Sequence, residues 1–208
     1  MEPEGRDGGE PLRTSRLIGF SDGVFAVVIT LLVLNIQVPG EPISLHSLIA
    51  RQAPNCIMFV ITFAMIGVKW LNHHRLFELI RRVDTTLNIL NLLLLLGICA
   101  VPFTTALIAK YLNTPDAAFA STIYGIVWTI NGFLYTAILV YALRRGLTET
   151  RGPAETYRPL HRLVLLYVIG PLSYLVAIGV SFFNVYAGIA LYVVIVSLYI
   201  PPQRVSKQ

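Results

Sequence analysis

Six stretches of this chain are too apolar to sit comfortably in water and are close to the length that crosses a bilayer. They cover residues 17–38, 54–71, 87–109, 117–143, 163–183 and 185–200, the last being the shortest. At a rise of about 1.5 Å per residue, roughly 20 helical residues cross a hydrocarbon core ~30 Å thick. Lipid offers no hydrogen-bond partners, so each run must satisfy its own backbone, which an α-helix does and an open strand does not. The expected fold class is therefore an all-α membrane protein with six transmembrane helices. Only 13% of residues are charged, about half the ~25% usual for soluble domains. Pro39-Gly40, Pro115-Asp116 and Pro201-Pro202 punctuate the runs. Pro102 and Pro171 fall inside them, where neighbouring helices can satisfy the carbonyls a proline frees.

The net charge of +5 would suit a nucleic-acid partner if it formed one patch, but it does not. Arg6, Arg13 and Arg16 precede the first run; Lys69, Arg75, Arg81 and Arg82 surround the second connection. Arg144, Arg145, Arg151, Arg158 and Arg162 surround the fourth connection, and Arg204 and Lys207 follow the last run. With six spans these fourteen share one side, against Arg51 and Lys110 on the other. Basic residues concentrate on the cytoplasmic side, so both termini and the loop 73–82 are expected there, in a multi-pass protein of the cell (plasma) membrane. A cytoplasmic tail is expected over 1–16, a transmembrane body over 17–200 and a second cytoplasmic tail over 201–208. The first sixteen residues lack the apolar core and cleavage site of a signal peptide, so the first helix is expected to be retained and to serve as its own targeting signal.

Enzyme chemistry finds little foothold. There is no His/Glu metal spacing, nucleophile elbow or carboxylate pair on one helix face. His73 and His74 are adjacent, so on a helix they diverge by ~100° and do not form one metal site. No cofactor or metal is expected. Cys56 and Cys99, both within apolar runs, read as buried structural thiols. Asn88, Asn91, Asn131 and Thr104 are polar residues inside spans and read as interhelical contacts. No Asp, Glu, Lys or Arg sits at the centre of a span, which weakens a proton-coupled carrier. A secondary transporter or facilitator of a small cation or proton remains the alternative reading.

The first run carries the most pattern. Between Val24 and Leu34 the only polar side chain is Thr30. At ~100° per residue, Phe20, Gly23, Val27, Thr30, Leu31 and Leu34 share one stripe, with Arg16 at its end. Asp22 points nearly the opposite way. A carboxylate facing lipid costs several kcal/mol, so Asp22 should find protein partners, the nearest candidates being His73, His74 and Arg75. The stripe itself has three readings: a lipid-facing surface, packing against another helix, or the lining of a pore. In the last case an apolar ring gates by excluding water.

The segment RLIGFSDGVFAVVITLLVLNI, residues 16–36, closely resembles the signature of the transmembrane protein 175 family of potassium channels, in its bacterial single-repeat branch. WLNHHRLF at 70–77, NLLLLL at 91–96 and VPFTTAL at 101–107 extend the resemblance. It implies six helices per chain and a homotetramer in the lipid bilayer, around a central pore lined by the first helix. The permeant ion it implies is K+, and no nucleic-acid partner is expected. It also implies apolar constrictions at Val27 and Leu34, a hydroxyl layer at Thr30 that sets cation preference, and further pore-facing positions at Gly23 and Leu31. Val28 and Val33 would then face protein. Arg16, Phe20, Ser21, Asp22, His73 and His74 form the structural motif network. No TVGYG-like segment occurs, so a carbonyl selectivity filter is not expected.

Overall fold

A computed structural model describes residues 10–40, 43–148 and 168–200 of the chain. Helix α1 spans Glu10–Leu31 and tightens into a 3-10 turn, Leu32–Asn35; α2 spans Leu45–Leu79, α3 Thr85–Tyr111 and α4 Ala117–Arg144. The described part of α5 is Val168–Ser181, and α6 spans Val185–Leu198. The all-helical class holds among the described residues. Four helices are long and apolar enough to cross a membrane, while α5 as described and α6 are shorter apolar helices. The expected tails over 1–9 and 201–208, and the start of the fifth run at 163, lie outside the described residues.

Local chemistry explains the helix ends. The Ser44 hydroxyl accepts from Ser47 N–H at 3.2 Å to cap α2, and the Asp84 carboxylate accepts from Leu87 N–H at 2.8 Å to cap α3. The Asn184 amide oxygen accepts from Tyr186 and Ala187 N–H at 3.0 and 3.1 Å to cap α6. Each engages backbone donors that a helix start leaves unpaired. Helix α4 ends in a Schellman turn: Gly146 takes φ 65°, Gly146 N–H bonds the Leu143 carbonyl at 3.2 Å and Leu147 N–H the Ala142 carbonyl at 2.9 Å.

Two boundaries correct the sequence reading. Helix α1 starts at Glu10, so the last part of the expected tail is helical. Helix α2 runs for 35 residues with Pro54 inside it, where a span over 54–71 was expected. Its length is about 52 Å at the usual rise, well beyond a ~30 Å hydrocarbon core. The polar residues on both sides of the apolar run continue the helix, so His73 to Leu79 are helical instead of loop.

The chain's connections sort into two ends. At one, the Thr14 hydroxyl donates to the Arg81 carbonyl at 3.4 Å. Arg81 N–H bonds the Leu147 carbonyl at 2.8 Å, and Ile80 pairs with Thr148 in an antiparallel bridge. The start of α1, the α2–α3 connection and the end of α4 therefore meet. At the other end the Tyr186 hydroxyl donates to Asn113 Oδ1 at 2.6 Å, joining the start of α6 to the α3–α4 turn. The Asn72 amide donates to the Tyr199 carbonyl at 2.9 Å, so α6 returns toward the first end.

One apolar core includes Phe25 and Val28 of α1, Leu32 of the 3-10 turn, Met65 and Ile66 of α2 and Ile98 of α3. It continues into an aromatic cluster of Tyr124 and Trp128 from α4, Tyr174 from α5 and Tyr192 from α6, with ring centroids 5.5–6.3 Å apart. Small residues permit that approach: a Cβ on Gly125 would overlap the Tyr192 hydroxyl and the Ile178 side chain.

Candidate functional site: the uncovered face of α1

Helix α1 packs on α2 and α3 through Ser21, Phe25, Val28 and Leu32, all buried. The spacing of four, three and four residues is one helix face. On the opposite face Gly23, Val27, Thr30, Leu31 and Leu34 are exposed, as are Arg16 and Phe20. Val27 is 56% and Leu34 64% exposed, while Val28, one residue from Val27, is 2% exposed. A Cβ at Gly23 would meet nothing within 4 Å. The stripe is thus an apolar surface that no other described part of the chain covers. Val33, expected to face protein, is 49% exposed. It falls in the 3-10 turn, whose step of ~120° per residue departs from the α-helical register.

The stripe carries one hydroxyl. Thr30 Oγ1 donates to the Val27 carbonyl at 2.7 Å. Its proton is thereby engaged, and the oxygen remains an acceptor, the polarity that suits a cation.

Behind the stripe, polar contacts fix the rotation of α1. The His73 Nε2 to Asn91 Oδ1 distance is 2.9 Å, Asn91 Nδ2 donates to Ser21 Oγ at 3.0 Å, and Ser21 Oγ donates to the Leu17 carbonyl at 2.9 Å. Because Asn91 uses its amide N–H on Ser21, its oxygen accepts, which assigns the His73 proton to Nε2. His73, Asn91 and Ser21 are each 0% exposed, so this run of hydrogen bonds ties α1, α2 and α3 together in the interior. The His73 ring also lies against Phe77 and Phe25, at centroid distances of 4.5 and 5.4 Å.

Asp22 takes a partner the sequence reading did not name: Trp70 Nε1–H donates to Asp22 Oδ1 at 2.8 Å. Trp70 in turn lies 6.1 Å from the His74 ring, and His74 Nε2 is 3.4 Å from Glu78 Oε1. His73 and His74 therefore occupy different environments, one in the core and one on the rim, as their ~100° divergence requires. The available signal was spacing, since Trp70 and His74 stand four apart on one face of α2. Arg16 forms no ion pair among the described residues.

Of the four polar residues inside the spans, Asn91 joins helices. Thr104 donates to Val101 and Asn131 to Val127, each within its own helix. Cys56 and Cys99, expected to be buried, are both exposed. The outer face of a membrane helix is as apolar as its core face, so hydrophobic surroundings in sequence do not signal the interior.

At the basic end, outside the spans, Asp84 Oδ2 accepts from the Tyr141 hydroxyl at 2.6 Å. That bond, with the Leu87 cap, holds the Asp84 carboxyl below its ordinary value of 3.8.

The family model described as endosomal/lysosomal potassium channel TMEM175 matches residues 16–102, a stretch that starts at Arg16 and takes in the uncovered face of α1. A potassium channel of Streptomyces collinus is 36% identical over 173 residues, covering 81% of this chain and 82% of that one. The crystal structure of a homologue, from Chamaesiphon minutus, of the lysosomal potassium-selective channel TMEM175 matches with a TM-score of 0.79 at 34% identity. That match covers 90% of this chain and 96% of the other, so the helical architecture is shared nearly end to end. The human endosomal/lysosomal proton channel TMEM175 is 27% identical over 192 residues, or 87% of this chain and 38% of the human one.

Proposed function

The chain belongs to the TMEM175 family of ion channels, and we propose that four copies of it form a potassium-permeable pore lined by the uncovered face of α1. The observation that carries this reading is that face: an apolar stripe with a single hydroxyl, left open by a helix whose other side is fully packed. Val27 and Leu34 supply two apolar rings, with Gly23 and Leu31 beside them. An ion passes only when those rings are wide enough to stay wet. Thr30 supplies four acceptor oxygens between them. Hydroxyls are fewer and more mobile than stacked carbonyls, so preference for potassium over sodium is modest. Ser21, Asn91 and His73 hold the stripe in register. Asp22, through Trp70, anchors the same end of α1 to α2 and lies off the conduction path.

In this reading α5 and α6 complete six spans, residues 17–200 form the channel body, and the basic end with both termini faces the cytoplasm in the plasma membrane. The basic segments that the fold brings together, around Arg81 and the end of α4, support that orientation. Protons are the second reading for the permeant ion, favoured by the name of the human relative.

Purified protein in planar bilayers under opposing potassium and sodium gradients tests the proposal. Unitary currents that reverse on the potassium side of zero are expected. A reversal potential that follows an imposed pH gradient makes protons the carried ion. Absence of unitary events with sustained flux in vesicles indicates a carrier.

A further inference from the structure

At the basic end, two opposite charges are exposed on different faces of the chain. Arg16 stands on the open face of α1 and forms no ion pair among the described residues. Glu78 of α2 is 62% exposed, and the group beside it is His74, at 3.4 Å, which carries charge only when protonated. Asp22 and Asp84 are already engaged, Asp22 by Trp70 and Asp84 by Tyr141 and the Leu87 N–H.

The two charges lie at one level. The Trp70–Asp22 and Thr14–Arg81 hydrogen bonds pin α1 and α2 together at two heights. Arg16 lies six of the eight residues from Asp22 to Thr14, and Glu78 eight of the eleven residues from Trp70 to Arg81. Both fractions are about three-quarters. Yet Arg16 is turned ~120° from Asp22 around α1, away from the edge of α2 that carries Trp70, His74 and Glu78. Opposite charges at one height on different faces suit a closed ring, in which one face of each copy meets another face of the next.

The side of α2 that leads to Glu78 is uncovered as well. Val60, Phe63, Trp70 and His74 are exposed along it, and a Cβ at Gly67 would meet nothing within 4 Å. The apolar part of this strip fits lipid as well as protein, whereas its charged end selects a partner that presents a cation at the same height. Four stripes around one axis would also bring four Arg16 side chains to the mouth of the path. They would repel one another and an entering cation. A carboxylate from the next copy lowers both costs.

Resting on the four-copy reading above, we propose that the Trp70–His74–Glu78 edge of α2 is the subunit interface, docking on α1 of the next copy through an ion pair between Glu78 and that copy's Arg16. Each copy offers Arg16 to one neighbour and Glu78 to the other, so four pairs close the ring.

Paired cysteines test this in membranes, in protein carrying Cys56→Ser and Cys99→Ser. An Arg–Glu pair holds its Cβ atoms further apart than a disulfide allows, so a short bifunctional thiol reagent is the linker. Arg16→Cys with Glu78→Cys should give dimer, trimer and tetramer bands on a denaturing gel, whereas either cysteine alone joins two copies at most. Light scattering in detergent reads the mass separately. A tetramer that yields no band above the dimer overturns this interface and leaves the four-copy pore standing, while a monomer removes both. Charge exchange is the second arm. Arg16→Glu and Glu78→Arg should each weaken assembly about fivefold per contact, and the two together should restore it. A double variant that assembles no better than the single ones overturns the pairing.

Discussion

Helices α1 and α4 are both long and apolar enough to cross a membrane and are treated very differently by the fold. Half of the membrane-spanning window of α4 is buried inside the chain, against 22% for α1. Helix α4 is gripped by α3 along its length and by the aromatic cluster with α5 and α6, so nearly every turn has a partner. Helix α1 packs through one narrow face and leaves the other bare. In water such a face would have to be covered, but in a bilayer it is free to meet lipid, another copy or a pore. The difference separates two jobs. Helix α4 holds the chain together, and in the proposed reading α1 carries the surface that lines the ion path.

That contrast can be broken residue by residue. The largest effect is expected at Val28, the buried neighbour of Val27. Val28→Asn places an amide in the apolar core that also holds Phe25, Met65 and Ile98, which costs about 3 kcal/mol once lost packing is added. Its readout is the yield of folded, assembled protein on size exclusion. Next is Gly125→Ala in α4, where the new methyl overlaps Tyr192 and Ile178. Overpacking of this kind costs ~1–3 kcal/mol and should lower the melting temperature, whereas Gly23→Ala on the open face of α1 should not.

The smallest effect is expected at Asp84, at the basic end. Its carboxyl is held low by Tyr141 and the Leu87 cap, so its contribution is present above about pH 4 and is lost as pH falls through the depressed value. Asn caps helices as well as Asp does, so Asp84→Asn should keep the cap and lose the charge together with the oxygen that accepts from Tyr141. The melting temperatures of the two proteins should differ slightly at neutral pH and converge below pH 3.8. A difference that widens on acidification would mean that the cap, not the charge, carries the effect.

Much of α1 was legible because its residues repeat with helical spacing and its one hydroxyl falls on the stripe. The 3.6-residue period alone separates Val27 from Val28. Other features were hidden for physical reasons. Helix α2 outruns its apolar segment at both ends because a cap at Ser44 and polar helix-formers extend it, and neither changes hydropathy. Cys56 and Cys99 were misplaced because lipid-facing and core-facing positions are equally apolar. Lys69 read as a basic flank because sequence position does not reveal that its ammonium lies 4.9 Å from the centre of the Tyr135 ring of α4. Trp70 was overlooked as the partner of Asp22 because an indole in a membrane helix reads as apolar mass until a carboxylate is placed beside it.

The central claim, that the uncovered face of α1 lines the ion path, is tested most directly by single-channel recording of Val27→Asn beside the parent in symmetrical potassium. If the stripe faces the pore axis, four amides replace four apolar groups at the Val27 ring and hold water there. The barrier to wetting falls, and conductance or open probability rises in an assembled tetramer. Currents unchanged from the parent, in protein that assembles normally, would mean that Val27 faces lipid or another helix and that the path lies elsewhere.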